Sequence, residues 1–231
     1  MAPRVDEALL ASLNPARSIG FFPEFQVALP LNYRKRTSDL AFDLPGYLDP
    51  SPRLEDFAAP PRFPVEAGAI ASRIRDLLPP SMQVLAVHLE TAVNKVRPAE
   101  RFVAVLDAFL AKHPEFTAMV ISQGTQGLDG GRYGSRVIPC AGLPLAVALH
   151  LVAQADLFLG VDSCMLHVAD FFHVPGVALF GATSSYEFGF RLGPHRHVNG
   201  NGAMDTIRSA VSWTCWSPWS KSTCTDSGGE W

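Results

Sequence analysis

The chain has 231 residues, of which 48% are hydrophobic and 18% charged, and its formal net charge is −3. This is a globular composition, long enough for one large domain or for a domain with a substantial appendage. It lacks the basic excess of a nucleic-acid binder, and no run of about 18 apolar residues is present to cross a membrane as a helix.

Asp6 and Glu7 stand where a signal peptide would carry its apolar segment. The expectation is therefore a cytoplasmic protein. Its four cysteines, Cys140, Cys164, Cys215 and Cys224, form no C-x-x-C pair and read as free thiols.

Residues 1–64 read as an irregular, proline-rich arm. Ala8 to Leu13 suits a short helix and Ser18 to Phe22 a short strand, but prolines recur from Pro23 to Pro64 and break either period. Such a stretch is expected to be a wrapping arm or the joint to a larger unit.

From Val65 the pattern is regular. Val65 to Leu78 has apolar residues at helical spacing and stops at Pro79-Pro80. Val84 to His88 predicts a strand. Pro98 to His113 predicts a helix with Phe102, Val105, Leu106 and Phe109 on one face. Thr117 to Ile121 is a strand, and Gln123 to Ser135 a glycine-rich loop. Arg136 to Ile138 is a short strand and Leu143 to Gln154 a helix.

Leu157 to Val161, Ser163 to His173 and Val177 to Phe180 then form a strand, helix and strand that are apolar on nearly every face. This is a βαβ unit, and it implies a parallel sheet covered on both sides. The expected fold class is α/β, a Rossmann-like parallel sheet with helices on both faces. A short helix from Ser184, a strand near Gly193 to Val198 and a helix over Thr206 to Val211 complete a domain of residues 65–212. The tail, residues 213–231, has no period and is expected to be disordered or loosely docked.

Ligands of open α/β sheets bind at the carboxyl ends of the strands. Three loops there carry suitable groups. The first is D-S-C-M-L-H: Asp162 and Ser163 open a helix whose N–H groups suit a phosphate, and His167 lies one turn on. A helix cap and a satisfied core histidine are the alternative. The second is Val87 to Pro98, where Thr91 offers a hydroxyl and Lys95 a mobile cation for a diphosphate. The third is F-G-A-T-S-S, in which Gly181 permits close backbone approach and Thr183 adds a hydroxyl.

The glycine-rich Ser122 to Gly131 matches neither a Walker loop nor G-x-G-x-x-G; Gln126 or Asp129 in it could meet a ribose. Together the loops favour a nucleotide diphosphate. The missing dinucleotide fingerprint argues against an oxidoreductase.

The stretches A-D-L-F-L-G-V-D-S-C-M-L-H-V-A-D and V-P-G-V-A-L-F-G-A-T-S, with V-H-L-E-T-A-V-N-K-V-R-P before them, resemble the family 9 glycosyltransferases, the ADP-heptose:lipopolysaccharide heptosyltransferases. The resemblance spans roughly Val84 to His197. It implies the C-terminal, donor-binding half of a GT-B fold, with residues 1–64 as the remnant of an N-terminal domain and linker.

It further implies that Thr91 and Lys95 contact the donor diphosphate and that Asp162 holds sugar hydroxyls. Ser163 and its helix terminus would contact phosphate with His167 assisting, and Ala141 would lie near the base. Cys164 replaces the family's glycine, and Glu90 stands where a small or hydroxyl residue is usual.

The implied substrate is a nucleotide-diphosphate sugar, with no cofactor and no metal. The acceptor is a saccharide or glycolipid, and transfer inverts the anomeric centre, at a location peripheral to the inner membrane face. A catalytically incomplete half-domain that needs a partner, or forms a homo-oligomer, is the alternative. No catalytic base is identified.

Overall fold

The computed structural model describes residues 7–91, 99–124 and 134–207. The chain divides into two compact units, Met1–Ala59 and Pro60–Trp231.

The first unit contains α1 (Glu7–Leu13), a two-residue pairing of β1 (Ile19–Gly20) with β2 (Val27–Ala28), and α2 (Thr37–Leu48). The strand expected over Ser18 to Phe22 is thus reduced to two residues. The helix α2 lies where an irregular chain is expected, and it holds Pro45 in its interior. A proline removes one backbone donor and strains the preceding turn, yet a helix can continue around it at that cost. Lys35 pairs with Asp43 on this helix at 2.7 Å. Among the described residues of this unit only Gly20 is buried.

The second unit opens with α3 (Val65–Arg75) and continues through β3 (Gln83–His88), α4 (Ala99–Lys112), β4 (Phe116–Ser122), β5 (Val137–Ala141) and α5 (Leu145–Ala153). It ends with β6 (Leu157–Val161), α6 (Cys164–Phe171), β7 (Gly176–Phe180), α7 (Ser185–Phe188), β8 (His195–Asn199) and a 3-10 turn at Met204–Thr206. The last helix expected over Thr206 to Val211 is replaced by this turn as far as Ile207. Its remaining residues, and the tail with Cys215 and Cys224, lie outside the described residues.

Six strands form one parallel sheet in the order β5-β4-β3-β6-β7-β8. The chain starts in the middle at β3, moves outward to β5, and returns to the other side of β3 at β6. Counted within the sheet, this is the 3-2-1-4-5-6 order of doubly wound dinucleotide-type folds.

The period-2 alternation of the strands sorts their side chains into two cores. Leu85, Val87, Leu157, Leu159, Val177 and Leu179 pack with the Phe102, Val105, Leu106 and Phe109 face of α4. Val84, Ala86, Phe158, Ala178 and Phe180 pack on the other side with residues of α3, α5 and α6. The central strands are buried along both faces, which is why they read as continuous apolar runs.

The strand expected to end at Ile138 continues through Pro139 to Ala141. β5 is an edge strand, where a proline's missing N–H costs no ladder bond. No described helix is long and apolar enough to cross a membrane.

Candidate functional site

The order in which the chain adds strands reverses between the parallel neighbours β3 and β6. Neighbouring strands there send their connections to opposite faces, which leaves a crevice at their carboxyl ends. The loops above β4, β3, β6 and β7 border it, and the side chains between them link these loops in spatial order.

β3 ends at His88, which is buried with its Nδ1 2.9 Å from the Ile121 carbonyl. A carbonyl can only accept, so Nδ1 carries the proton. Burial holds this imidazole below its ordinary pKa, in the neutral form. Glu90 follows. Its carboxylate accepts the backbone N–H groups of Gln123 and of Gly124, the latter at 3.2 Å, at the end of β4. The carboxylate that stands where the resemblance leads one to expect a small or hydroxyl residue is therefore partnered by two backbone amides.

Next, the Thr91 hydroxyl donates to the Asp162 carbonyl at 2.8 Å and ties the β3 loop to the β6 loop. The Asp162 side chain is buried, and its Oδ2 accepts the Thr183 hydroxyl at 2.6 Å, tying the β6 loop to the β7 loop.

Ser163 is the N-cap of α6, with extended backbone (φ −157°, ψ 174°) and no side-chain capping bond. Its Oγ is buried and has no hydrogen-bond partner among the described residues. A buried hydroxyl without a partner is costly. Here it sits at the positive end of an eight-residue helix. Cys164 and His167, in the first turn of α6, are exposed, while Met165 and Leu166 between them are buried. The core-histidine alternative for His167 is thus set aside.

The structure brings Thr91, Asp162 and Thr183 into one bonded group, with Ser163, Cys164 and His167 at the adjoining helix start. At Gly181 a Cβ would stand 2.6 Å from the Met204 backbone nitrogen, so its lack of a side chain accommodates the Met204 turn. Ala141 ends β5 and is exposed. Lys95, Gln126 and Asp129 lie outside the described residues. Among the described residues no three His, Cys, Asp or Glu side chains converge as a metal site requires.

Asp170 was not singled out in the sequence. It is buried on α6, and its carboxylate accepts the N–H groups of Arg191 (2.7 Å), Leu192 (2.7 Å) and Gly193 (2.9 Å). It thereby fixes the approach to β8. The signal available was an acidic residue inside the otherwise apolar run V-A-D-F-F. Arg101 was also missed: at the start of α4 it donates to the carbonyls of Asp205 and Ile207.

The family described as Glycosyltransferase family 9 (heptosyltransferase) matches residues 83–208. Among solved structures the chain is similar to a glycosyl transferase family 9 protein from Veillonella parvula DSM 2008. The two share 19% identity with a TM-score of 0.67, over 84% of this chain and 59% of that one. It is also similar to the E. coli heptosyltransferase WaaC with ADP, at 16% identity and a TM-score of 0.55 over 80% of this chain and 57% of that one. No curated protein sequence gives a significant match.

The chain thus spans less than two thirds of the length of these structures. At such identities the likeness establishes the fold, a Rossmann-like half of the GT-B glycosyltransferase architecture. The family match covers more than half of the 231 residues and contains every loop described above, and on that match the chain belongs to glycosyltransferase family 9.

Proposed function

We propose that this chain binds a nucleotide-diphosphate sugar in the crevice between β3 and β6 and presents it for inverting transfer to a saccharide or glycolipid acceptor. The observation that carries the reading is the buried, unpartnered Ser163 hydroxyl at the N-terminus of α6, at the point where the strand order reverses. A phosphate oxygen is an acceptor that satisfies both the hydroxyl and the helix amides. The similar E. coli heptosyltransferase is described with ADP, which supports a nucleoside diphosphate as the ligand class.

In the proposed reaction an acceptor hydroxyl oxygen bonds to the anomeric carbon while the bond from that carbon to the diphosphate oxygen breaks on the opposite face. The electron pair leaves with the diphosphate, and the hydroxyl proton passes to a general base. Donors already aimed at the diphosphate stabilise the charge that builds on it. On this reading the α6 terminus, Ser163 and His167 supply that stabilisation, with Lys95 added from the sequence pattern, while Thr91, whose hydroxyl donates to the Asp162 carbonyl, holds the neighbouring loop beside them. The exposed Cys164 thiol borders the same helix start. The nucleotide sugar is a substrate, and the reaction calls on no further cofactor.

Because the chain spans 59% and 57% of the two similar structures, donor binding is proposed for the chain itself and transfer for the complete two-domain unit. A subunit that needs a partner for turnover is the second reading.

Calorimetric titration with ADP, UDP, GDP and dTDP tests donor binding. One nucleotide should bind to the wild type. His167→Ala and Lys95→Ala should each weaken it by about tenfold, the scale of one lost charge-assisted contact. If no nucleotide binds, or if both variants bind as the wild type does, the site is wrong. Transferase turnover by the chain alone would exclude the subunit reading.

A further inference from the structure

Resting on the donor-site reading, we propose that Asp162 is a positioning residue for the diphosphate pocket, and that it acts through Thr183 and Thr91 rather than as a ligand of the sugar. The resemblance to the family gives this aspartate the sugar hydroxyls. In the structure it is 5% exposed, and its Oδ2 is taken by the Thr183 hydroxyl at 2.6 Å, the short end of hydroxyl–carboxylate bonds. Its carbonyl is taken by Thr91 at 2.8 Å. Glu90 extends the same chain of bonds to Gln123 and Gly124.

Four loops in spatial order, above β4, β3, β6 and β7, are thus held by the side chains of Glu90, Thr91, Asp162 and Thr183 and by the Asp162 carbonyl. No two of these loops are adjacent in sequence, so the backbone alone does not fix their spacing. A diphosphate needs donors from several loops at once, and any slack between them is a cost of ordering that binding must meet. These hydrogen bonds remove that slack before the ligand arrives. Ser163 follows Asp162 directly, so the frame that holds Asp162 also sets where the α6 terminus points.

A positioning role differs measurably from a sugar contact. The test measures affinity for whichever of ADP, UDP, GDP and dTDP binds the wild type, and for its sugar conjugate. Thr183→Val keeps the side-chain shape and removes the donor. It should weaken both ligands by the same factor, about tenfold. Thr183→Ser should restore most of the affinity, and Thr91→Val should weaken both ligands similarly, which keeps the test open should one variant fold poorly. Because the links share one frame, the Thr91→Val/Thr183→Val double variant should lose less than the product of the two single losses.

A loss confined to the sugar conjugate would overturn the inference and return Asp162 and Thr183 to direct sugar contact. Unchanged binding by Thr183→Val would overturn it while leaving the donor site standing. Absence of nucleotide binding by the wild type would overturn the donor reading, and this inference with it.

Discussion

Removing the Ser163 hydroxyl should separate folding from binding. In the ligand-free protein this group is buried without a partner, so it contributes a desolvation cost and no compensating bond. Ser163→Ala should leave the unfolding free energy unchanged or raise it by about 1 kcal/mol, while nucleotide affinity falls. Urea denaturation beside calorimetry reads both; a clear loss of stability would mean that the hydroxyl caps α6 after all.

Cys140 makes a second prediction at this scale. Burial on β5 pushes its thiol from 9.0 up to about 11. The unfolded chain therefore releases this proton at lower pH than the folded one. The stability that the neutral thiol contributes is full below pH 9 and is lost as pH rises toward 11. The alkaline fall in unfolding free energy should be steeper in the wild type than in Cys140→Ala, by on the order of 2 kcal/mol across that window. Equal slopes would contradict the burial of this thiol.

Among the elements, α6 and β8 depend on one carboxylate. Asp170 accepts three successive backbone donors, those of Arg191, Leu192 and Gly193. Asp170→Ala should lower the unfolding free energy by about 3 kcal/mol, measured by chemical denaturation, because three backbone amides, that of Gly193 buried, lose a charged acceptor. A loss under 1 kcal/mol, close to a single neutral bond, would show that the Arg191–Gly193 turn is held by something else.

The helices and strands of this unit were legible because their apolar periods are long and uninterrupted, and β6 was placed to the residue. What the sequence could not show is which residues meet across distance. The Thr91–Asp162–Thr183 link spans separations of 71 and 21 residues, and the Glu90 contacts span 33 and 34. A hydroxyl or carboxylate carries no sign of such a partner in its local pattern. Likewise Pro139 reads as a strand breaker until the sheet order makes β5 an edge.

At the scale of the whole molecule, the strand order turns a set of weak loop motifs into a site. Thr91, Asp162 and Thr183 each suit a ligand loop, but short motifs recur by chance. The reversal between β3 and β6 supplies the reason that their loops converge, and it is invisible in a linear reading. The sequence resemblance and the family match over residues 83–208 agree on this half of the fold. The first unit is a different case. With Gly20 alone buried among its described residues, it has no core of its own from which a role can be argued.

The central claim is that a nucleoside diphosphate sits at the carboxyl end of the sheet between β3 and β6. Two-dimensional NMR of the labelled protein titrated with ADP, UDP, GDP and dTDP locates the ligand directly. The predicted result is one nucleotide whose addition shifts the amides of residues 89–91, 162–167 and 181–184 and leaves the amino ends of the strands unmoved. No shift with any nucleotide, or shifts confined to the opposite end of the sheet, would contradict the account.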